Sequence, residues 1–179
     1  ITENAVLNEV KKELKIKRHI RIRVSPDFES PMLVGVLFPV IYIPLREIPD
    51  ENMRMIFLHE LTHYKRKDLA LKWLSLFVNA VHWFNPLSWI FLKAFLADLE
   101  LSCDERVLVK LGADRSKEYA SALLECKQGA TVFASAFGGA RIRTRIENIL
   151  SFRKLTWFSL MAFIALISVI FYVLLTNAG

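Results

Sequence analysis

Residues 59–63 read HELTH. On a helix, His59 and His63 stand at i and i+4 and project from one face, so both imidazoles can reach one metal ion. Glu60 lies beside them and can take a proton from a water that such an ion acidifies. The preceding MIFL is apolar, so the motif begins inside a buried run rather than on a solvated helix. Two histidines do not complete a catalytic zinc site, which has three protein ligands and a water. His19 and His82, the remaining histidines, have no helical partner. Residues 100–104 read ELSCD, which puts Glu100 and Asp104 at i and i+4 on one expected helix. One of these carboxylates can bind the metal. The other can accept a hydrogen bond from the second ring nitrogen of a ligating histidine and fix its tautomer. Asp98 is the competing ligand. Cys103 can bind zinc chemically, but it points about 100° around the helix from Asp104 and reads as a small core residue.

The elements that must carry these groups follow from periodicity. Val6, Leu7, Val10 and Leu14 share one face of an expected helix over residues 2–16. HIRIRV, residues 19–24, alternates strictly and reads as a half-buried strand. Two apolar runs follow at 32–38 and 40–43, closed by Pro39 and Pro44, which point to an edge strand or a bend. Asp50 is the expected N-cap of a helix running to about Lys67. A further helix is expected from about Trp89 to Leu111, stopped by Gly112, and an amphipathic one over residues 117–128.

Composition places this machinery at a membrane. Hydrophobic residues make up 54% of the 179, which excludes a disordered chain. Two cysteines with no CxxC spacing exclude a disulfide scaffold. The first residue is Ile1 rather than Met, so the chain is expected to be a piece of something longer. Residues 155–175 form a run of 21 without a charge, long enough as a helix to span a bilayer. Arg141, Arg143, Arg145, Arg153 and Lys154 precede it, against one acid, Glu147, and no charge follows it. The positive-inside rule then puts residues before 155 in the cytoplasm. The net charge of +6 suits a lipid-facing surface. Without a compact basic helix or an aromatic stacking motif it does not suggest direct contact with nucleic acid. A second uncharged stretch of twenty residues lies between Lys72 and Lys93. It cannot be a single crossing, because residues 63 and 100 must meet at one ion. With Asn85-Pro86 as a turn signal, it reads as a helical hairpin that dips into the bilayer interface or packs on membrane helices, a soluble core hairpin being the alternative.

HELTHYKRKD, then HWFNPL at 82–87, then ELSCDERVL at 100–108 together resemble the BlaR/MecR-type integral-membrane metallopeptidases, the protease modules of bacterial β-lactam sensor-transducers. SPMLVGVLFPVIYIP resembles that family's segment before its catalytic helix, and RIRTRIENIL the segment before its last membrane helix. The resemblance covers most of residues 20–175. It implies a gluzincin: zinc (Zn2+) on His59, His63 and Glu100, Glu60 as general base, and Asp104 at the position of the second carboxylate.

The expected architecture is therefore α+β. A zincin-like metallopeptidase domain over residues 1–154 has a small edge-stranded sheet and an HExxH helix. It carries a re-entrant hairpin at 69–97 and is followed by a transmembrane helix at 155–175. The expected activity is that of a zinc endopeptidase in the bacterial cell membrane with its active site facing the cytoplasm. It would cleave a cytoplasmic protein such as a DNA-binding transcriptional repressor, in antibiotic or cell-envelope signalling. A housekeeping membrane gluzincin of the prenyl-protease or quality-control type is the alternative. A non-catalytic scaffold would have no use for Glu60. Substrate is expected as an extended strand against one of the runs at 32–43. Arg106, Tyr119 and Arg141 are candidate oxyanion donors. Ser151-Phe152 is a candidate site of self-cleavage, because a tethered segment has a high effective concentration. Lipid and the protein substrate are the expected partners, and a homo-oligomer is left open.

Overall fold

The structure is a computed structural model that describes residues 3–28, 30–127 and 142–152. It is α+β, as expected: the described residues form six α-helices and a three-stranded sheet. The expected helix at 155–175 and Arg141 lie outside the described residues.

Helix α1 (Glu3–Glu13) carries Glu3 in its first turn and Lys11 and Lys12 in its last, each the charge that the helix dipole favours at that end. Its apolar face, Val6, Leu7 and Val10, is buried against the next long helix. Strands β1 (Arg21–Val24), β2 (Met32–Val34) and β3 (Val40–Ile43) pair in the order β1-β3-β2. β1 runs parallel to β3, with Arg21 opposite Val40, and β2 runs antiparallel to it, with Leu33 opposite Ile41. Ile41 and Ile43 of the central strand reach the core. The first apolar run yields only a three-residue strand, because Gly35 turns the chain at φ 93°. A Cβ there would stand 2.4 Å from the Phe38 carbonyl oxygen, so only glycine fits. β2 is an edge strand, as expected for the first run, but β3, bracketed by Pro39 and Pro44, is the central strand and neither an edge nor a bend, because both prolines lie just outside its paired residues.

Helix α2 (Asp50–Arg66) is the central element and buries nine residues, from Met53 to His63. Its N-cap is Pro49 with no side-chain cap. Asp50 is therefore not the cap expected from sequence. It sits in the first turn, where it still favours the positive end of the dipole. The helix stops at Lys67, which takes the left-handed conformation (φ 61°). This lets α3 (Asp68–Val81) start at the next residue in a new direction. A turn over residues 82–85 joins α3 to α4 (Pro86–Leu111), and the two helices pack antiparallel. α4 begins three residues earlier than expected. Asn85 Oδ1 accepts from Leu87 N at 3.0 Å, and Pro86 fits the first helical position.

The α3–α4 hairpin carries many of its large apolar side chains on the outside. The buried residues of α3 are Asp68 and Asn79, with no apolar one among them. Trp73, Phe77, Trp83, Phe84, Ile90 and Phe91 are all more than 60% exposed. No described helix is long and apolar enough to cross a membrane.

Gly112 ends α4 at φ 95°, and a 3-10 turn (Ala113–Arg115) leads into α5 (Ser116–Lys127). A last helix, α6, spans residues 142–150. One apolar core joins α1, β3, α2, the C-terminal half of α4, α5 through Tyr119 and Leu123, and α6 through Ile149.

Candidate metal centre

The buried middle of α2 presents His59 and His63 to the same point, as their spacing predicts. Their Nε2 atoms stand 3.1 Å apart. Glu100 of α4 brings Oε2 to 3.7 Å from His59 Nε2 and 3.6 Å from His63 Nε2. Zinc bonds of about 2.0–2.1 Å at tetrahedral angles put neighbouring ligand atoms about 3.3 Å apart. The three atoms therefore form a triangle that fits a four-coordinate zinc with one position open.

The outer ring nitrogens are each tied to a partner that fixes the tautomer. His63 Nδ1 lies 2.7 Å from Asp68 Oδ2. An ionised carboxylate can only accept, so Nδ1 carries a proton whether the ring is neutral or charged, and Nε2 is the nitrogen left for a metal, which would displace any proton there. Asp68 gets there because Lys67 breaks the helix. The residue is 1% exposed, and Arg66 Nε lies 3.2 Å from its other oxygen. His59 Nδ1 lies 2.8 Å from the Tyr119 hydroxyl, which donates to Asp104 Oδ1 at 2.7 Å. The hydroxyl has one proton, already given to Asp104, so it accepts from His59 Nδ1–H. Asp104 thus supports His59 chiefly through Tyr119, its own oxygen being 3.4 Å from Nδ1.

Arg145 of α6 lies against the same cluster, with Nη2 3.5 Å from His59 Nε2. Its Nε and Nη2 donate to Asp104 Oδ2 and Oδ1, both at 2.7 Å. Its Nη1 lies 3.3 Å from Glu100 Oε2. Lys72 Nζ, from α3, donates to the outer oxygen of Glu100, Oε1, at 2.9 Å.

Burial would raise the Asp104 carboxyl, but the Arg145 guanidinium and then His59 outweigh it and hold the acid below the usual range. Burial is likewise overcome at Glu100, where the two histidines keep the group ionised. His63 is lifted against its burial to about 10, chiefly by Asp68. Burial pushes the Tyr119 phenol up, so it stays a neutral donor.

Glu60 points toward the sheet. Its Oε2 accepts from the Leu33 amide of edge strand β2 at 2.9 Å. The helix that offers the two imidazoles therefore also holds a carboxylate at the free edge of the sheet.

Cys103 is fully buried, and its Sγ lies 3.7 Å from His59 Nδ1 and 3.6 Å from the His59 carbonyl oxygen. Ligand atoms of His59, His63 and Cys103 all fall within 4.8 Å of one another. The thiol, however, faces the Nδ1 side of His59, whereas the two Nε2 atoms converge on Glu100. Asp98 is exposed and lines a cleft with Ser102 and Asn148. Tyr119 is spent behind His59, so it is not the oxyanion donor it was a candidate for. Arg106 is exposed and shares a surface cleft with Leu14 and Thr62. Ser151 and Phe152 follow the end of α6. Their amides bond back to Glu147 O at 3.0 Å and Ile149 O at 3.4 Å, and Phe152 packs on the core. That peptide bond is not extended.

Asp68, Lys72 and Arg145 escape the reading of the sequence. Asp68 follows His63 by five residues, the wrong interval for one helix face. Arg145 carried a signal: with Ile142, Ile146 and Ile149 it shares one helical face, so it lies on an apolar stripe rather than a solvated one.

The model of the BlaR1 peptidase M56 family matches residues 1–149. The chain belongs to that family, which is one of metallopeptidases. It is 30% identical over 152 residues to the regulatory protein BlaR1 of Bacillus licheniformis, covering 80% of this chain and 25% of that protein. It is 32% identical over 113 residues to the methicillin resistance mecR1 protein of Staphylococcus aureus, covering 62% of this chain and 19% of that one. The chain thus spans a quarter or less of the curated relatives it matches here.

Proposed function

We propose that this chain is the catalytic module of a membrane-embedded zinc endopeptidase, with zinc held by His59, His63 and Glu100. The observation that carries the reading is the triangle of His59 Nε2, His63 Nε2 and Glu100 Oε2, with sides of 3.1, 3.7 and 3.6 Å. Zinc bound there supplies a polarised scissile carbonyl and an acidified water.

The chain's own residues do the rest. Glu60 takes the proton from the attacking water and passes it to the leaving amine. Substrate adds as an extended strand to the free edge of β2, beside Glu60. Asp68 and Tyr119 hold the two imidazoles by Nδ1, so that Nε2 of each is turned to the metal site. Asp104 acts through Tyr119, and Arg145 keeps Asp104 ionised and oriented.

The uncovered apolar face of the α3–α4 hairpin supports association with lipid, and the basic flank before residue 155 supports a cytoplasmic site. Similarity to BlaR1 and to the methicillin resistance mecR1 protein favours a regulatory protease over the housekeeping alternative. The substrate on this reading is a cytoplasmic protein such as a DNA-binding repressor, and a second cut falls in the chain itself at Ser151-Phe152.

Zinc content tests the ligand set. Glu100→Ala is expected to release zinc and Asp98→Ala to keep it. Zinc retained in Glu100→Ala and lost in Asp98→Ala would move the ligand to Asp98.

A further inference from the structure

Glu100 is the one member of the triangle whose binding mode is not fixed by its chemistry. An imidazole offers the metal one nitrogen, whereas a carboxylate can offer one oxygen or two. Two-oxygen binding would fill the position that a catalytic site must leave open for water and substrate. The two oxygens of Glu100 have different surroundings. Oε2 faces both Nε2 atoms. Oε1 turns away and accepts from Lys72 Nζ at 2.9 Å.

We infer that Lys72 is a positioning residue that holds Glu100 to the metal through Oε2 alone. This rests on the proposed zinc site. A charge-assisted hydrogen bond holds Oε1 toward Lys72, against the rotation that would swing it in to the metal. Lys72 is placed to do this from a separate element. It lies one turn into α3, on the side that faces α4, and its backbone oxygen accepts from Ser75 Oγ at 2.8 Å. With its side chain 33% exposed, the pair adds little to fold stability, where such contacts contribute about 0–1 kcal/mol. Its consequence is for the carboxylate it orients. Lys72 also ties the metal centre to the helix that buries no apolar side chain of its own, so the apolar hairpin and the ligand share a polar contact.

The test is the visible absorption of the cobalt-substituted chain, which weakens as a four-coordinate ion gains a fifth ligand, together with zinc affinity by chelator competition. Wild type is expected to give the intense four-coordinate band. Lys72→Met is expected to take up one cobalt, show the weak five-coordinate band, and bind zinc about 10-fold less tightly. Lys72→Arg should restore the intense band. Lys72→Gln, made in parallel, keeps a donor without the charge and should shift the spectrum in the same direction by less, so the test survives if the Met variant loses its helix content. A Lys72→Met chain with native helix content and the wild-type band, or with no cobalt uptake in excess metal, would overturn the inference. If Glu100→Ala loses zinc while Lys72→Met keeps the wild-type band, the ligand set stands and only the role of Lys72 falls. If Glu100→Ala keeps zinc at wild-type affinity, the ligand set itself falls.

Discussion

Arg145 of α6 grips Asp104 of α4 through two parallel hydrogen bonds of 2.7 Å, and both side chains are more than nine-tenths buried. Removing one partner of such a pair leaves a buried charge without compensation, at a cost of about 3–5 kcal/mol. Arg145→Met is therefore expected to lower stability by that amount in equilibrium urea unfolding. Arg145→Lys should rescue it poorly, because an ammonium cannot reproduce the two-point contact. Adding Asp104→Leu to Arg145→Met should recover part of the loss. A loss below about 1 kcal/mol in Arg145→Met would show that the contact is not the tie described.

Asp68 and Tyr119 fix the two imidazoles from behind, one directly and one as a relay to Asp104. Asp68→Asn and Tyr119→Phe are each expected to weaken zinc binding by about 10–100-fold without unfolding the chain. Chelator competition on the purified variants checks this. Wild-type affinity in both would mean that the histidines are oriented by packing alone.

The apolar hairpin leads to a prediction about sidedness. Single cysteines at Phe84, Arg115 and Ala178 can be probed with a membrane-impermeant maleimide, both native thiols being buried. Labelling from outside is expected at Ala178→Cys and not at Phe84→Cys or Arg115→Cys. Outside labelling of both Phe84→Cys and Arg115→Cys would reverse the assigned orientation.

Self-cleavage at Ser151-Phe152 requires the end of α6 to unwind, because both amides are tied back into the helix. A fragment beginning at Phe152 is expected from wild type and not from Glu60→Gln, and N-terminal sequencing reads it. An intact wild-type chain, under conditions where an added protein is cut, would exclude the reaction.

What could be read from the sequence was what local spacing encodes. HELTH fixes two side chains on one helical face, and the structure brings them to 3.1 Å. ELSCD does the same for Glu100 and Asp104, and both carboxylates meet the histidine pair. The groups that escaped come from other elements, which local spacing does not tie to HELTH. Asp68 depends on the left-handed Lys67, a conformation that a non-glycine residue does not advertise. Tyr119 and Arg145 come from helices 15 and 41 residues away from Asp104 in the chain. In the sequence Arg145 belongs to the basic flank of the apolar run at 155–175, where charge alone cannot tell a solvated arginine from one turned inward. Asp50 loses its expected role for a smaller reason: Pro49 takes the cap position and the helix begins one residue earlier.

The central claim is that Glu60 supplies the proton transfer while His59, His63 and Glu100 hold the metal. Glu60→Gln removes the base and no ligand. Zinc content and cleavage of a protein substrate, measured on the same preparation, test it most directly. Glu60→Gln is expected to keep one zinc per chain and lose at least about 10²-fold in cleavage rate, whereas His59→Ala and His63→Ala lose both. Cleavage by Glu60→Gln at the wild-type rate, or full zinc in His59→Ala, would contradict it.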